Sequence, residues 1–335
     1  MKPIVVYTRP RDWSLTGYSS DKLDLIYVPI SGENPVKRNG RPAGDGIGDV
    51  LTKAGVAKLL QTIREKQPQV FFHAIHAKVG EPILRQVRVL SPRTKIIVAN
   101  GNDPNKVGGY VASHRAYVDA VLLNSQDPKV WKLYREAGFS ENQVGVLYDG
   151  FELKDHPAPS KTTPTFDCFF AGSNQVNEKG VHIYQNGRFR KQFIYRVRES
   201  FKLDLHGHTH EWGIPVSKRL NYPQYYQSFH DARIAINVNH LELVRYYTRR
   251  TIHAGASGRL YVVKYIPGME ADFGENGEHL VWFNTIEQGL DRIDYYLQNE
   301  KLREETAARC RDLFLRKHTW RNRLEDFEKF VLALL

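Results

Sequence analysis

The sequence predicts an α/β protein of two halves, each a parallel sheet with helices on both faces. Three observations predict it. A length of 335 residues suits about two domains. Short β-branched runs alternate with longer amphipathic stretches, the pattern of strand–helix–strand units whose crossover helices cover a parallel sheet. Finally, the segment from Leu153 to Thr165 (LKDHPAPSKTTPT) has no periodicity and is rich in Pro, Ser, Thr and Lys, so it reads as a linker after which the alternation restarts.

In the first half, Ile4 to Tyr7, Leu25 to Pro29, Val70 to His73, Lys95 to Ala99 and Ala120 to Asn124 read as strands. Asp49 to Lys66 reads as a helix with Val50, Leu51, Ala54, Ala57, Leu60 and Ile63 on its apolar face, and Asp49 as its N-cap. Glu81 to Leu90 and Asp127 to Ala137 are further helices, the second stopped by Gly138. In the second half, strands are expected at Phe166 to Ala171, Leu203 to His206, Ile234 to Val238 and Leu260 to Val263. Helices are expected from Val181 onward, at Tyr222 to Phe229 and at Arg249 to Ala256, with a long helical stretch from Ile286 to Leu335 broken near His318.

Composition narrows the partners. Hydrophobic residues at 41% are too many for a disordered chain, and 48 basic against 37 acidic residues give a net charge of +11. Such an excess favours polyanions or nucleotide phosphates without choosing among them. Two cysteines, Cys168 and Cys310, make no disulfide framework, so a reduced, cytoplasmic setting is expected. The apolar run in MKPIVVYTRP is too short for a signal-peptide core, and no stretch approaches the roughly 18 apolar residues of a membrane span.

In open parallel sheets ligands sit beyond the carboxyl ends of strands, so the loops there are where chemistry is sought. Gly172, Ser173 and Asn174 follow one such strand; the glycine lets backbone approach a ligand, although a plain strand-end turn explains it equally. Arg249 and Arg250 open a helix, where positive charge beside the positive dipole end is costly unless an anion is bound. His253 follows on nearly the same face, as a ligand contact or a packed histidine. Gly207 is a close-approach glycine, and His206-x-His208-x-His210 around it reads more readily as loop than as a zinc site, so no metal is expected. In the first half, Asp45 and Asp49 lie in the glycine-rich stretch before the first long helix, Asp103 follows a strand in Asn100-Gly101-Asn102-Asp103-Pro104, and His73 and His76 flank the end of the third strand; each is a candidate base or a structural group. Gly44-x-Gly46-x-Gly48 matches neither the dinucleotide nor the P-loop pattern. Basic residues with interleaved aromatics, RFRKQFIYRVRESF from Arg188 and RYYTRR from Arg245, suit phosphate contacts or a solvated helix face.

From Phe169 onward, the order of features resembles the spore-maturation-type glycosyltransferases of the GT-B superfamily. The FAGS turn comes first, then LHG before Trp212-Gly213, the YPQYY helix and the IAINVN strand. Arg250 with Ser257-Gly258 and Pro267-Gly268-Met269-Glu270 follow, and His318-Thr319-Trp320-Arg321-x-Arg323 closes the series. The resemblance implies two Rossmann-like domains facing across a cleft, with a C-terminal helix pair packing back toward the N-terminal domain. The implied bounds are an acceptor domain at 1–155, a nucleotide-sugar domain at 156–317 and a returning helix at 318–335.

It further implies transfer of a sugar, hexosyl or pentosyl, from a nucleotide-sugar (UDP-sugar first) to a hydroxyl, with no cofactor or catalytic metal required. The donor residues it implies are Gly172, Ser173, Asn174, Gly207, Arg249, Arg250, His253, Ser257, Gly258 and Glu270. Where many relatives carry two glutamates, this chain has Arg245 and His253, which leaves a non-catalytic nucleotide- or nucleic-acid-binding protein as the alternative. Acceptors among similar folds include cell-envelope and spore-coat glycans and modified DNA bases; the +11 charge favours double-stranded DNA, on a hydroxymethylated base.

Overall fold

A computed structural model describes all residues except 9–17, 31–50, 75–78, 102–104, 106–109, 157–162, 178, 208 and 218–219. The chain divides into two compact units, Met1–Gly150 with Trp320–Leu335, and Phe151–Thr319.

The first unit holds β1 (Ile4–Thr8), β2 (Asp24–Tyr27), β3 (Val70–Ala74), β4 (Lys95–Asn100), β5 (Ala120–Leu123) and β6 (Val144–Val146), in the order β2-β1-β3-β4-β5-β6. Every pairing is parallel, so hydrophobic runs such as Val70–Phe72 are buried on both faces. One face packs on α1 (Lys53–Lys66) and α2 (Glu81–Leu90) through Leu59, Ile63, Leu84 and Val87. α1 turns a different face inward from the one its sequence suggests: Ala54 and Ala57 are exposed while Leu59 is fully buried. Gly55 explains the rotation, because a Cβ there would lie 2.7 Å from the Ile30 backbone and the helix uses this contact to approach the chain. The N-cap is Thr52, whose side chain accepts from Gly55 N–H at 3.0 Å, so Asp49 is not the cap. The short α3 (Tyr110–Ser113) and α4 (Pro128–Glu136), capped by Asp127, complete this part of the unit.

The second unit holds β7 (Phe166–Ala171), β8 (Leu203–His206), β9 (Ala232–Asn237), β10 (Leu260–Lys264) and β11 (Val281–Phe283), also parallel, in the order β11-β10-β9-β7-β8. Its helices are α5 (Gly187–Ser200), α6 (Thr209–Trp212), α7 (Tyr222–His230), α8 (Arg249–Ala256), α9 (Glu270–Phe273), α10 (Ile286–Gln298) and α11 (Glu300–Lys317). α5 begins six residues later than its sequence pattern suggests, because Val181 and Ile183 are 59% and 50% exposed and belong to a turn bridged between Val176 and His182. The long C-terminal stretch is three helices, broken at Asn299 and again at His318, where the chain passes to α12 (Trp320–Leu334). α12 is the segment that returns to the first unit: Trp320, Leu324, Phe327 and Val331 pack with Phe72 and Leu122 there, and α10 and α11 stay with the second unit. No helix among the described residues is long and apolar enough to cross a membrane.

Gly255 lets α8 lie against α11. A Cβ there would collide with the Phe314 ring, which is stacked on Phe273 at 5.5 Å and flanked by His318 at 4.5 Å, so it has no room to swing. Gly255→Ala gains up to about 1 kcal/mol of helix propensity but overpacks a rigid aromatic stack at about 1–3 kcal/mol. Net destabilisation in urea unfolding is the expected result.

Candidate functional site

β7 and β8 are neighbours, so their carboxyl-end turns lie side by side. Gly172 N–H donates to His206 O at 3.0 Å, and Trp212 Nε1–H donates to Gly172 O at 3.1 Å. A Cβ at Gly207 would lie 2.6 Å from Gly172 O and 2.7 Å from Trp212 Nε1, so the two turns meet backbone to backbone only because this position is glycine. Over them hangs Arg250: a Cβ at Gly172 would collide with its Nη1.

Arg250 comes from the first turn of α8 and Arg190 from the first turn of α5, both opening behind strand ends. Arg190 is 2% exposed; its Nε donates to Val238 O and its Nη1 to Ser173 O, each at 2.8 Å, tying the β7 and β9 ends together. Burial, and next the nearby Arg250 charge, push its pKa well below the ordinary guanidinium value. A buried cation and a half-buried one thus lie close together. Among the described residues, Arg190 Nη2 and Arg250 Nε are buried without a hydrogen-bond partner, as are both side-chain amide atoms of Asn174. The nearby carboxylate of Glu211 is engaged by Asn174 N–H at 2.9 Å. Buried N–H groups left unspent cost free energy that a polyoxyanion would recover, and a diphosphate matches two guanidiniums in charge and in acceptor number. The arrangement can bind a nucleotide diphosphate and stabilise charge building on it.

Gly172→Ala is a direct probe, since the atom displaced is the free end of a flexible side chain. The variant is expected to keep its melting temperature and lose at least about tenfold in UDP affinity by calorimetry, about 1.4 kcal/mol. Unchanged affinity would place Arg250 outside the site.

The other donor candidates scatter. Ser173 contributes its carbonyl to Arg190, and Arg249 opens α8 beside Arg250. Glu270 follows the carboxyl end of β10 and accepts from Tyr265 Oη at 2.7 Å, on the ligand side of the sheet but exposed. Ser257 and Gly258 lie at the far end of α8, eight residues or about 12 Å along the helix from Arg249. There Ser257 Oγ donates to Ala254 O at 2.7 Å and Gly258 takes φ +76°: they close the helix and are not brought to the arginines. His253 is 4% exposed and points inward, hydrogen-bonded through Nδ1 to His156 Nε2 at 2.7 Å among Tyr225, Tyr226 and Phe229. Arg245, in the left-handed region at φ 49°, gives its Nε to Asp272 Oδ2 at 2.7 Å, and Tyr247 donates to the same oxygen at 2.5 Å. Arg190 is not distinguishable in the sequence, because nothing in the basic run from Arg188 marks the one arginine that turns inward.

In the first unit, Asp45, Asp49, Asp103 and His76 lie outside the described residues. His73 is fully buried at the end of β3 against Tyr110, and burial pushes its pKa down to about 4, so it is a packed neutral histidine. His208 and the side chain of His210 also lie outside the description. Among the described residues no group of three or more His, Cys, Asp or Glu could hold a metal ion.

Residues 188–329 match the family model described as glycosyl transferase-like. The match covers less than half of the chain, and the fold is shared with solved glycosyltransferases. The matched residues include Arg190 and Arg250. Among solved structures, an α-glucosyltransferase in complex with UDP-glucose and DNA containing an abasic site is similar at 10% identity and a TM-score of 0.65, covering 98% of this chain and 99% of that one. A glycosyltransferase from Rickettsia africae is similar at 11% identity and 0.60, covering 99% of each chain. Anabaena HepE, in complex with UDP and glucose, is similar at 11% identity and 0.58, covering 98% of each. Among curated proteins no match was found.

Proposed function

We propose that this protein transfers a sugar from a UDP-sugar to a hydroxyl of a hydroxymethylated base in double-stranded DNA. The observation that carries the transferase reading is the buried Arg190 beside the half-buried Arg250 above the Gly172–Gly207 turns, with unspent N–H groups and the Asn174 amide around them. As the glycosidic bond breaks, negative charge grows on the departing diphosphate, and fixed cations in a water-poor site lower that barrier without reorganising. The second unit then holds the donor and the first the acceptor, with Asp45, Asp49, Asp103 and His76 as the candidate bases for the acceptor hydroxyl. Support for DNA comes from charge: the donor site absorbs two or three of a +11 excess, and a polyanionic acceptor uses more of it. The neighbour bound to UDP-glucose and DNA points the same way.

A second reading is a binder that keeps nucleotide affinity without turnover. It is favoured by Arg245 and His253, whose side chains are spent on Asp272 and His156 within the unit. Incubation with UDP-, GDP- and ADP-sugars decides between the two, with hydroxymethylated duplex, plain duplex and envelope-type glycans as acceptors. Nucleotide diphosphate release with a mass gain on the modified duplex is the expected result. A mass gain on a glycan alone would replace the acceptor; tight UDP binding with no release from any pair would leave the binder.

A further inference from the structure

The basic run on α5 is not absorbed by the donor site, and the helix sorts it. Arg190 goes inward, while Arg188, Lys191, Tyr195, Arg198 and, just past the helix end, Lys202 recur every three or four residues and share one face. Arg188, Arg198 and Lys202 are exposed and Lys191 half-buried, and among the described residues none of the four side-chain cations has a carboxylate oxygen within 4.0 Å, Asp167 meeting only the Lys202 backbone N–H and the Arg233 guanidinium. The one acid of α5, Glu199, is occupied by Arg196 at 3.5 Å on the neighbouring face. Tyr195 is anchored by its hydroxyl on Trp212 O and carries the Lys191 ammonium 5.5 Å from its ring centroid, so the middle of the stripe is held in place. Its field is felt at the near end, where His182 is pushed down in pKa by burial first and then by Lys191, Arg188 and Arg190.

We propose that this stripe is a docking track for the phosphodiester backbone of duplex DNA, leading up to the Arg190–Arg250 site. Arg188 to Arg198 spans about 15 Å of helix, along which a duplex presents about nine phosphates at one charge per about 1.7 Å. A straight line of uncompensated cations fits a stiff rod, whose phosphates are already ordered. A flexible polyol-phosphate chain would have to be ordered on binding, and a membrane would meet the whole surface. The proposal rests on the DNA reading of the acceptor but not on turnover.

The test is fluorescence anisotropy of the full chain with a 20-base-pair duplex, without donor, between 50 and 200 mM KCl. Each lost phosphate contact flattens the slope of log affinity against log salt by about 0.9. The R188A/K191A/R198A variant is therefore expected to bind at least about tenfold more weakly at low salt, with a slope shallower by about 2.7. A control that removes Lys53, Lys58 and Lys66 on α1 of the first unit keeps the wild-type slope. The single R188A change, at an exposed side chain, gives a shift of about 0.9 should the triple variant fold poorly. A stripe variant with the wild-type slope, absent duplex binding, or binding to phosphatidylserine vesicles in place of duplex overturns the proposal. UDP-sugar hydrolysis without DNA reports on the donor site separately, so loss of the track and loss of transfer are told apart.

Discussion

Replacing Arg250 by alanine lowers kcat/KM for donor turnover about 10²–10³-fold, with the fold retained. The magnitude follows from where the charge sits. A cation facing a diphosphate in a dry site interacts several times more strongly than one in water, and its partner Arg190 is buried and cannot swing out to compensate. Because negative charge increases as the leaving group departs, the loss falls mainly on kcat and less on UDP binding. Arg250→Lys restores little, since a point ammonium cannot reproduce the two-pronged donation of a guanidinium. Arg190→Ala behaves differently: it leaves Val238 O and Ser173 O without their buried donor, so activity and stability fall together, the latter by about 3 kcal/mol. Steady-state kinetics on the three variants, with melting curves, separate the roles. An Arg250→Ala enzyme within twofold of wild type would remove the diphosphate from this site.

The strands were legible because both faces of a parallel sheet are buried, so runs such as Phe166–Ala171 are bounded by their own chemistry. β6 and β11 were not, since three residues carry no period. Val181 and Ile183 look like the start of α5 by hydropathy, yet they are exposed; apolar type is only a proxy for burial. The site divides along the same line. Gly172, Gly207 and Arg250 stand at strand ends and a helix start, which a chain order reveals. Ser257 and Gly258 share a motif with Arg250 but stand at the opposite end of α8, where they cap it. A spacing of eight residues on a helix is a separation as well as a pattern.

His253 shows what local reading misses most completely. Its partner His156 is 97 residues earlier, in a segment whose composition reads as linker, and yet His156 is fully buried. The pair has a structural task. His156 meets α8 through His253, and Arg311 of α11 donates to His156 O at 2.6 Å and to Ala256 O, so three segments hold the helix that carries the arginines.

Acid therefore loosens the second unit through this pair. Burial first, then His230 and Arg311, push the His156 pKa down to about 3; burial, then His156 and Arg249, hold His253 well below its ordinary value. Folded pKa values below the unfolded value of about 6.5 mean that the unfolded chain binds the extra protons. Stability is then full above pH 6.5 and is lost as pH falls from there toward about 3, at about 1.4 kcal/mol per pH unit per histidine. Between pH 7 and pH 5 the His156 imidazole removes about 2 kcal/mol, and His253 acts in the same direction. Replacing both by phenylalanine keeps two rings among Tyr225, Tyr226, Phe229 and Phe151 and removes the titration, whereas a single His253→Phe change leaves His156 Nε2 without its partner at about 1–3 kcal/mol. Urea unfolding of wild type and the H156F/H253F variant at both pH values measures the difference. The double variant is expected to lose at least about 2 kcal/mol less on acidification, and equal losses would mean that the pair is protonated in the folded protein or opens to water before the unit unfolds.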